Sequence, residues 1–122
     1  MRRYNKVVYH DIVEGTTERF TGAEHNELLG SAEVFVLQWR ATSVGGTGPK
    51  LTLTLYGSDN GKDWIPRETL LNQAVLTAGQ LNTGAVDSTT STRTMAGGRI
   101  GVALVGTNPV AEVELIVCGR DA

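Results

Sequence analysis

A chain of 122 residues can bury roughly two thirds of the surface it would expose unfolded, so it is expected to fold as one domain over residues 1–122 without a stapling disulfide or metal. A single cysteine, Cys118, excludes a disulfide scaffold within the chain. The formal net charge is −2, with 6 Lys/Arg against 7 Asp/Glu in residues 1–61 and 5 against 6 in residues 62–122; this even spread argues against a nucleic-acid partner, and the absence of an 18-residue apolar run argues against a membrane one.

In chain order, Met1-Arg2-Arg3-Tyr4-Asn5-Lys6 is basic, but no long apolar stretch follows as a signal peptide would require. It reads as a basic N-terminal arm leading into a strand over residues 4–13. Residues 16–20 are predicted to pair back onto that strand through a turn at Glu14-Gly15. Thr21-Gly22-Ala23-Glu24 has capping-box spacing and Gly30 can stop a helix, so residues 22–29 form at most two helical turns, or a loop.

Residues 33–42 alternate, with Phe35, Leu37, Trp39 and Ala41 on one face and Val34, Val36, Gln38 and Arg40 on the other. Residues 42–50 read as a Gly-rich loop that includes Thr47. Residues 50–56 alternate again, with Leu51, Leu53 and Leu55 inward and Thr52, Thr54 and Tyr56 outward. Pro66 confines residues 64–71 to an edge strand or an interrupted one. Residues 78–98 read as a long Ser/Thr/Gly loop, of a length that is uncommon in a compact domain unless it has a function or is disordered. Ile100, Val102 and Leu104 mark the next strand and Val113, Leu115 and Val117 the last.

Short strands broken by Gly- and Asn-rich turns, with no long crossover helix, predict an all-β fold: an antiparallel β-sandwich, jelly-roll-like, of seven or eight strands and at most one short helix.

No chemistry stands out. His10 and His25 are far apart in the sequence and lack an HxxxH or HExxH partner, so they read as surface or capping residues. Cys118 reads as a small half-buried hydrophobe. Glu112 and Glu114 share a strand face at a spacing that would suit paired carboxylates, but such charges are ordinary on a solvated strand. The chain is therefore expected to be no enzyme, with no catalytic residues, metal or cofactor. The most distinctive motif is Ser58-Asp59-Asn60-Gly61-Lys62-Asp63-Trp64. Asn60-Gly61 predicts a two-residue hairpin turn, with Asp59 capping it through its side chain and Trp64 returning to the core edge. Asp59, Asn60 and Asp63 also offer oxygens to calcium, without the distal bidentate Glu of a calcium loop. Trp64, if exposed, could instead stack on a sugar, whereas Trp39 reads as core.

Residues 51–64 are similar to the strand and S-x-D-G-x-x-W hairpin of many small phage β-sandwich proteins, although Asn60 stands in the usual Asp position of that motif. Residues 99–109 and the strand that follows resemble their C-terminal hairpin. With the strand at residues 34–41, the likeness touches about half of the chain. The family it resembles is the decoration, or cement, proteins of tailed-phage capsids. The resemblance implies a homotrimer on the outside of a virion, made in the host cytoplasm, that staples neighbouring major capsid proteins together. On this reading Arg2, Arg3 and Lys6 in the arm, Thr47 in the first loop, and Arg93 and Thr94 in the second reach the partner. Discoidin-type carbohydrate-binding domains carry a similar turn, so a carbohydrate-binding β-sandwich module, free-standing or on a tail fibre, is the alternative.

Overall fold

The computed structural model describes residues 3–87 and 96–121. Within them the chain forms six strands: β1 (Arg3–Glu14), β2 (Arg19–Phe20), β3 (Ala32–Ser58), β4 (Ile65–Val75), β5 (Asn82–Asp87) and β6 (Gly97–Asp121). One α-helix, α1 (Asn26–Ser31), follows a 3-10 turn at Ala23–His25. Every strand pairing is antiparallel.

Two strands organise the rest. β3 and β6, of 27 and 25 residues, pair with each other almost from end to end, Ala32 opposite Asp121 and Ser58 opposite Gly97. Their register breaks between Thr42 and Lys50, and this is where both strands bend. One layer contains residues 32–42 of β3 and 110–121 of β6, flanked by β5 and β1. The other contains residues 50–58 of β3 and 97–107 of β6, flanked by β4 and β2. The result is an antiparallel β-sandwich of eight strand segments, with β3 and β6 each contributing to both layers.

The bend is written in residues that tolerate unusual backbone. Ser43, Gly46, Gly48, Gly106 and Asn108 all have positive φ. A Cβ on Gly46 would lie 2.5 Å from the Asn108 carbonyl oxygen, and one on Gly106 would lie 2.8 Å from that of Thr47. The two corners thus nest backbone against backbone, which only glycine permits. The expected loop over residues 42–50 is therefore a bent, still-paired stretch of β3.

Period-2 alternation fills the space between the layers. Phe35, Leu37, Trp39, Ala41, Val113, Leu115 and Val117 from one layer meet Leu51, Leu53, Leu55, Ile100, Val102 and Leu104 from the other in a single buried cluster. Each fully buried Leu or Ile contributes about 1.5–3 kcal/mol relative to exposure. Cys118 lies half-buried on the opposite side of its strand, its thiol 3.1 Å from Asn5 Oδ1.

Four local expectations change. Residues 16–20 do not return to β1: the Gly15 N–H donates to the Pro109 carbonyl, and Arg19-Phe20 crosses to the other layer to pair with Val102-Gly101. Thr21 does not cap a helix; its Oγ1 accepts the Ile100 N–H at 3.1 Å. Gly30 does not end α1 but lies inside it, where a Cβ would come within 2.7 Å of the Gly97 backbone. The stretch 78–98 is not one loop. Asn82–Asp87 is β5, paired with residues 36–41, and Gly97-Gly98 already belongs to β6. β5 escapes a pattern search because Gly84 sits where a side chain would strike the Trp39 indole, 2.7 Å from Nε1. Pro66 lies in β4, which among the described residues pairs on one side only, with β3, as an edge strand must.

Candidate functional site

The turn at 58–64 is built by side chains. Ser58 is buried, and its Oγ accepts the backbone N–H of Gly61 at 2.9 Å and of Asn60 at 3.3 Å. Asn60 Oδ1 accepts the N–H of Lys62 and of Asp63, both at 2.8 Å, while Asn60 Nδ2 donates to Asp63 Oδ2 at 2.7 Å. Only Gly61 has positive φ, so this is a longer side-chain-braced loop and not the two-residue hairpin that Asn-Gly predicts. Asp59 does not cap it: its Oδ1 accepts the Ala96 N–H at 3.3 Å and ties the loop to the start of β6. The side-chain oxygen of Asn60 and one carboxylate oxygen of Asp63 are turned into the loop's own bonds. Among the described residues no group of three or more His, Cys, Asp or Glu is placed to hold a metal ion.

Trp64 leaves this loop half-buried. The Arg99 guanidinium lies over it, 4.5 Å from the ring centroid, and over Phe20 at 3.8 Å, with Tyr56 at 5.9 Å. Phe20 and Tyr56 meet edge to face at 5.7 Å. The Tyr56 hydroxyl donates to both Glu18 oxygens, at 2.9 and 3.0 Å. Burial first, then the Glu18 hydrogen bond and charge, push the Tyr56 phenol above its usual pKa, with Arg99 pulling it back. Arg99 Nε is buried without a hydrogen-bond partner. This stack covers the outer face of the layer that contains β4.

Beside Trp64 lies an open cleft of about 570 Å³, bordered by Asn26 and Glu27 of α1, Asp59 and Asn60 of the loop, and Gly97 of β6. Asn26 borders it, and its Oδ1 is buried with no hydrogen-bond partner.

A second cleft, of about 300 Å³, brings together His10, Asp11, Glu24 and His25, with Tyr9 and Phe20. The histidines, distant in the sequence, thus border one depression. His10 Nε2 is 2.7 Å from Glu112 Oε2, and His10 Nδ1 is 3.6 Å from Glu114, which also faces Arg40 at 3.9 Å. His25 Nε2 is 3.4 Å from Glu24. Burial and then the Asp11 charge push the Tyr9 phenol up, with Arg19 opposing, which keeps it protonated and a poor nucleophile. Among the described residues no hydroxyl or thiol bonds to either imidazole. Glu112 and Glu114 do share a face, but one is bonded to the His10 imidazole and the other lies within ion-pair distance of His10 and Arg40.

The residues expected to reach a partner are not gathered in one place. Arg3 and Lys6 lie in β1, opposite Arg120 and Val117, and so belong to a strand and not to an arm. Thr47 is exposed at the far end of that layer, in the bend opposite Thr107. Arg2, Arg93 and Thr94 lie outside the described residues. Sequence reading missed Phe20, Arg99 and Asn26. The only available signal was the outward position of Tyr56; that Arg99 stands directly opposite it depends on a register no single strand reveals.

No protein-family model and no curated protein matches the chain. Solved structures do. The fold matches a chain in the structure of infectious bursal disease virus, Gt strain, with a TM-score of 0.62 and 16% identity over 96% of this chain. It matches the VP2 subviral particle of the same virus with a TM-score of 0.60 and 12% identity over 98% of this chain. T=1 particles derived from a mutant VP2 protein give 0.62 and 16%, again over 98%. The chain spans about a third of the length of these neighbours, 31–32%, and at such identity the likeness is one of fold.

Proposed function

We propose that this chain is a structural protein of a virus particle, a β-sandwich that sits on a capsid and bridges neighbouring capsid subunits without catalysing a reaction. The observation that carries the reading is the match of nearly the whole chain to about a third of VP2, a viral capsid protein. The physical design supports it. Two long strands shared by both layers make the sandwich one continuous sheet, so a load applied to one layer passes to the other through backbone hydrogen bonds. Its exposed apolar side chains, Val7, Ile12, Ile65, Val75 and Leu81, offer contact surface to neighbours.

The finer reading is a tailed-phage decoration protein that binds the outside of the shell as a trimer. It implies a mass in solution of about three times 13.0 kDa. Light scattering on the purified protein, followed by co-sedimentation with capsids lacking it, tests both parts. A trimer that sediments with the capsids and raises the temperature at which they break supports the reading. A protein that leaves the capsids unbound and no more stable overturns it.

A further inference from the structure

We propose that the cleft beside Trp64 is a saccharide-binding site, a function additional to any structural role in a shell. The cleft, at about 570 Å³, falls in the range of small-ligand sites, roughly 300–1,000 Å³. Its composition selects the ligand. Trp64 supplies an indole wall, and Arg99 lying over that ring fixes its orientation. Asn26 supplies a buried amide oxygen with no partner, and a buried polar atom left unpaired costs stability until something bonds to it. Glu27 and Asp59 add carboxylates, and among the described residues no lysine or arginine borders the cleft. A hydroxyl group suits Asn26 in particular: it both donates and accepts, so it satisfies the amide whichever way the amide is turned. A sugar adds C–H faces that pack on an indole and several hydroxyls for the carboxylates.

The site is also pre-organised. The Asn60 side chain is locked by four hydrogen bonds within the loop, and Asp59 ties the loop to Ala96. Binding then costs little ordering of the protein.

Gly97 gives a clean test. A Cβ there would sit 3.6 Å from Trp64 Cη2 and 3.7 Å from Asn26 Cβ. These are ordinary contacts, so Gly97→Ala fits without moving its neighbours, yet it places a methyl between the two groups assigned to the ligand. The experiment is a printed array of bacterial and animal glycans, followed by titration of each hit as a free oligosaccharide. Tryptophan fluorescence serves as readout, because Trp39 is buried in the core and Trp64 faces the cleft. Saturable binding is expected that changes the fluorescence, is insensitive to salt, and weakens at least tenfold in Gly97→Ala and in Asn26→Leu while the melting temperature of Gly97→Ala stays at the wild-type value. An array without hits overturns the assignment. So does binding that Gly97→Ala leaves intact, or binding confined to amine-bearing probes and abolished by salt.

Discussion

The two layers of the sandwich share two long strands and one core but wear different outer faces. The layer with β1 and β5 carries a polar ladder, His10 with Glu112 and Glu114, and Arg40 with Glu114. The layer with β2 and β4 carries Arg99 stacked with Phe20, Trp64 and Tyr56. The ladder keeps its charges in water, where each pair contributes little. The stack takes a cation partly out of water and surrounds it with rings, which makes it a small second core outside the first. Equal layers inside and unequal layers outside mean that both layers share the core, while the cation-aromatic stack belongs to one.

The sharpest way to break this comparison is to show that the inner faces are not equal. Leu53 and Leu115 are both fully buried, one in each layer. Leu53→Ala and Leu115→Ala should each cost about 2–5 kcal/mol in chemical denaturation, the usual range for a buried leucine truncated to alanine. If only one of them does so, the layers do not share one cooperative core. The bend that joins them comes next. Gly46→Ala combines positive φ with a methyl 2.5 Å from a carbonyl oxygen, and a cost of about 1–3 kcal/mol is expected in the same measurement.

Inner faces are also what the sequence makes legible. Leu51, Leu53 and Leu55, or Val113, Leu115 and Val117, announce themselves because burial on one side of a strand imposes a period of two, and the all-β antiparallel sandwich follows. The bend did not show, since the glycines that let β3 stay paired while turning look like the glycines of an ordinary loop. β5 did not show either, because its inward position opposite Trp39 is a glycine. The turn motif at 58–64 was found, but its chemistry was misread: Ser58 and Asn60 brace it, and Asp59 bonds elsewhere. The cleft beside Trp64 draws on α1, the 58–64 loop and the start of β6, and only the folded chain places Asn26 next to residues more than thirty positions away.

A smaller effect separates the outer faces. Arg99→Ala removes the cation held between Phe20 and Trp64, at a cost of about 1–2 kcal/mol, and Arg99→Lys should not restore it, since a compact ammonium cannot stack as a planar guanidinium does. The same substitution sharpens a pH effect. Tyr56 and Tyr9 have phenols raised in the folded state. The stability this reflects is fully present below the unfolded tyrosine pKa of about 10 and is lost as pH rises through the folded value. Phenolate absorbance should therefore appear late for these residues. In Arg99→Ala the Tyr56 step should move later still, because the cation that lowers it is gone. An unmoved step would mean that Arg99 does not act on Tyr56.

The smallest effect is expected at His10. The imidazole is about half exposed, as is Arg40, and Glu112 is 39% exposed. Ion pairs this open to solvent are screened by water and salt and hold two side chains in place for little return. His10→Ala should therefore change stability by less than about 1 kcal/mol, and high salt should shrink even that difference. Arg99→Ala serves as the control, because stacking on Phe20 and Trp64 rests more on contact and desolvation than on long-range charge, and its penalty should persist in salt. If the His10 variant lost as much as the Arg99 variant, or its penalty survived salt, the ladder would be holding the layer with β1 together, and the distinction drawn between the two outer faces would fail.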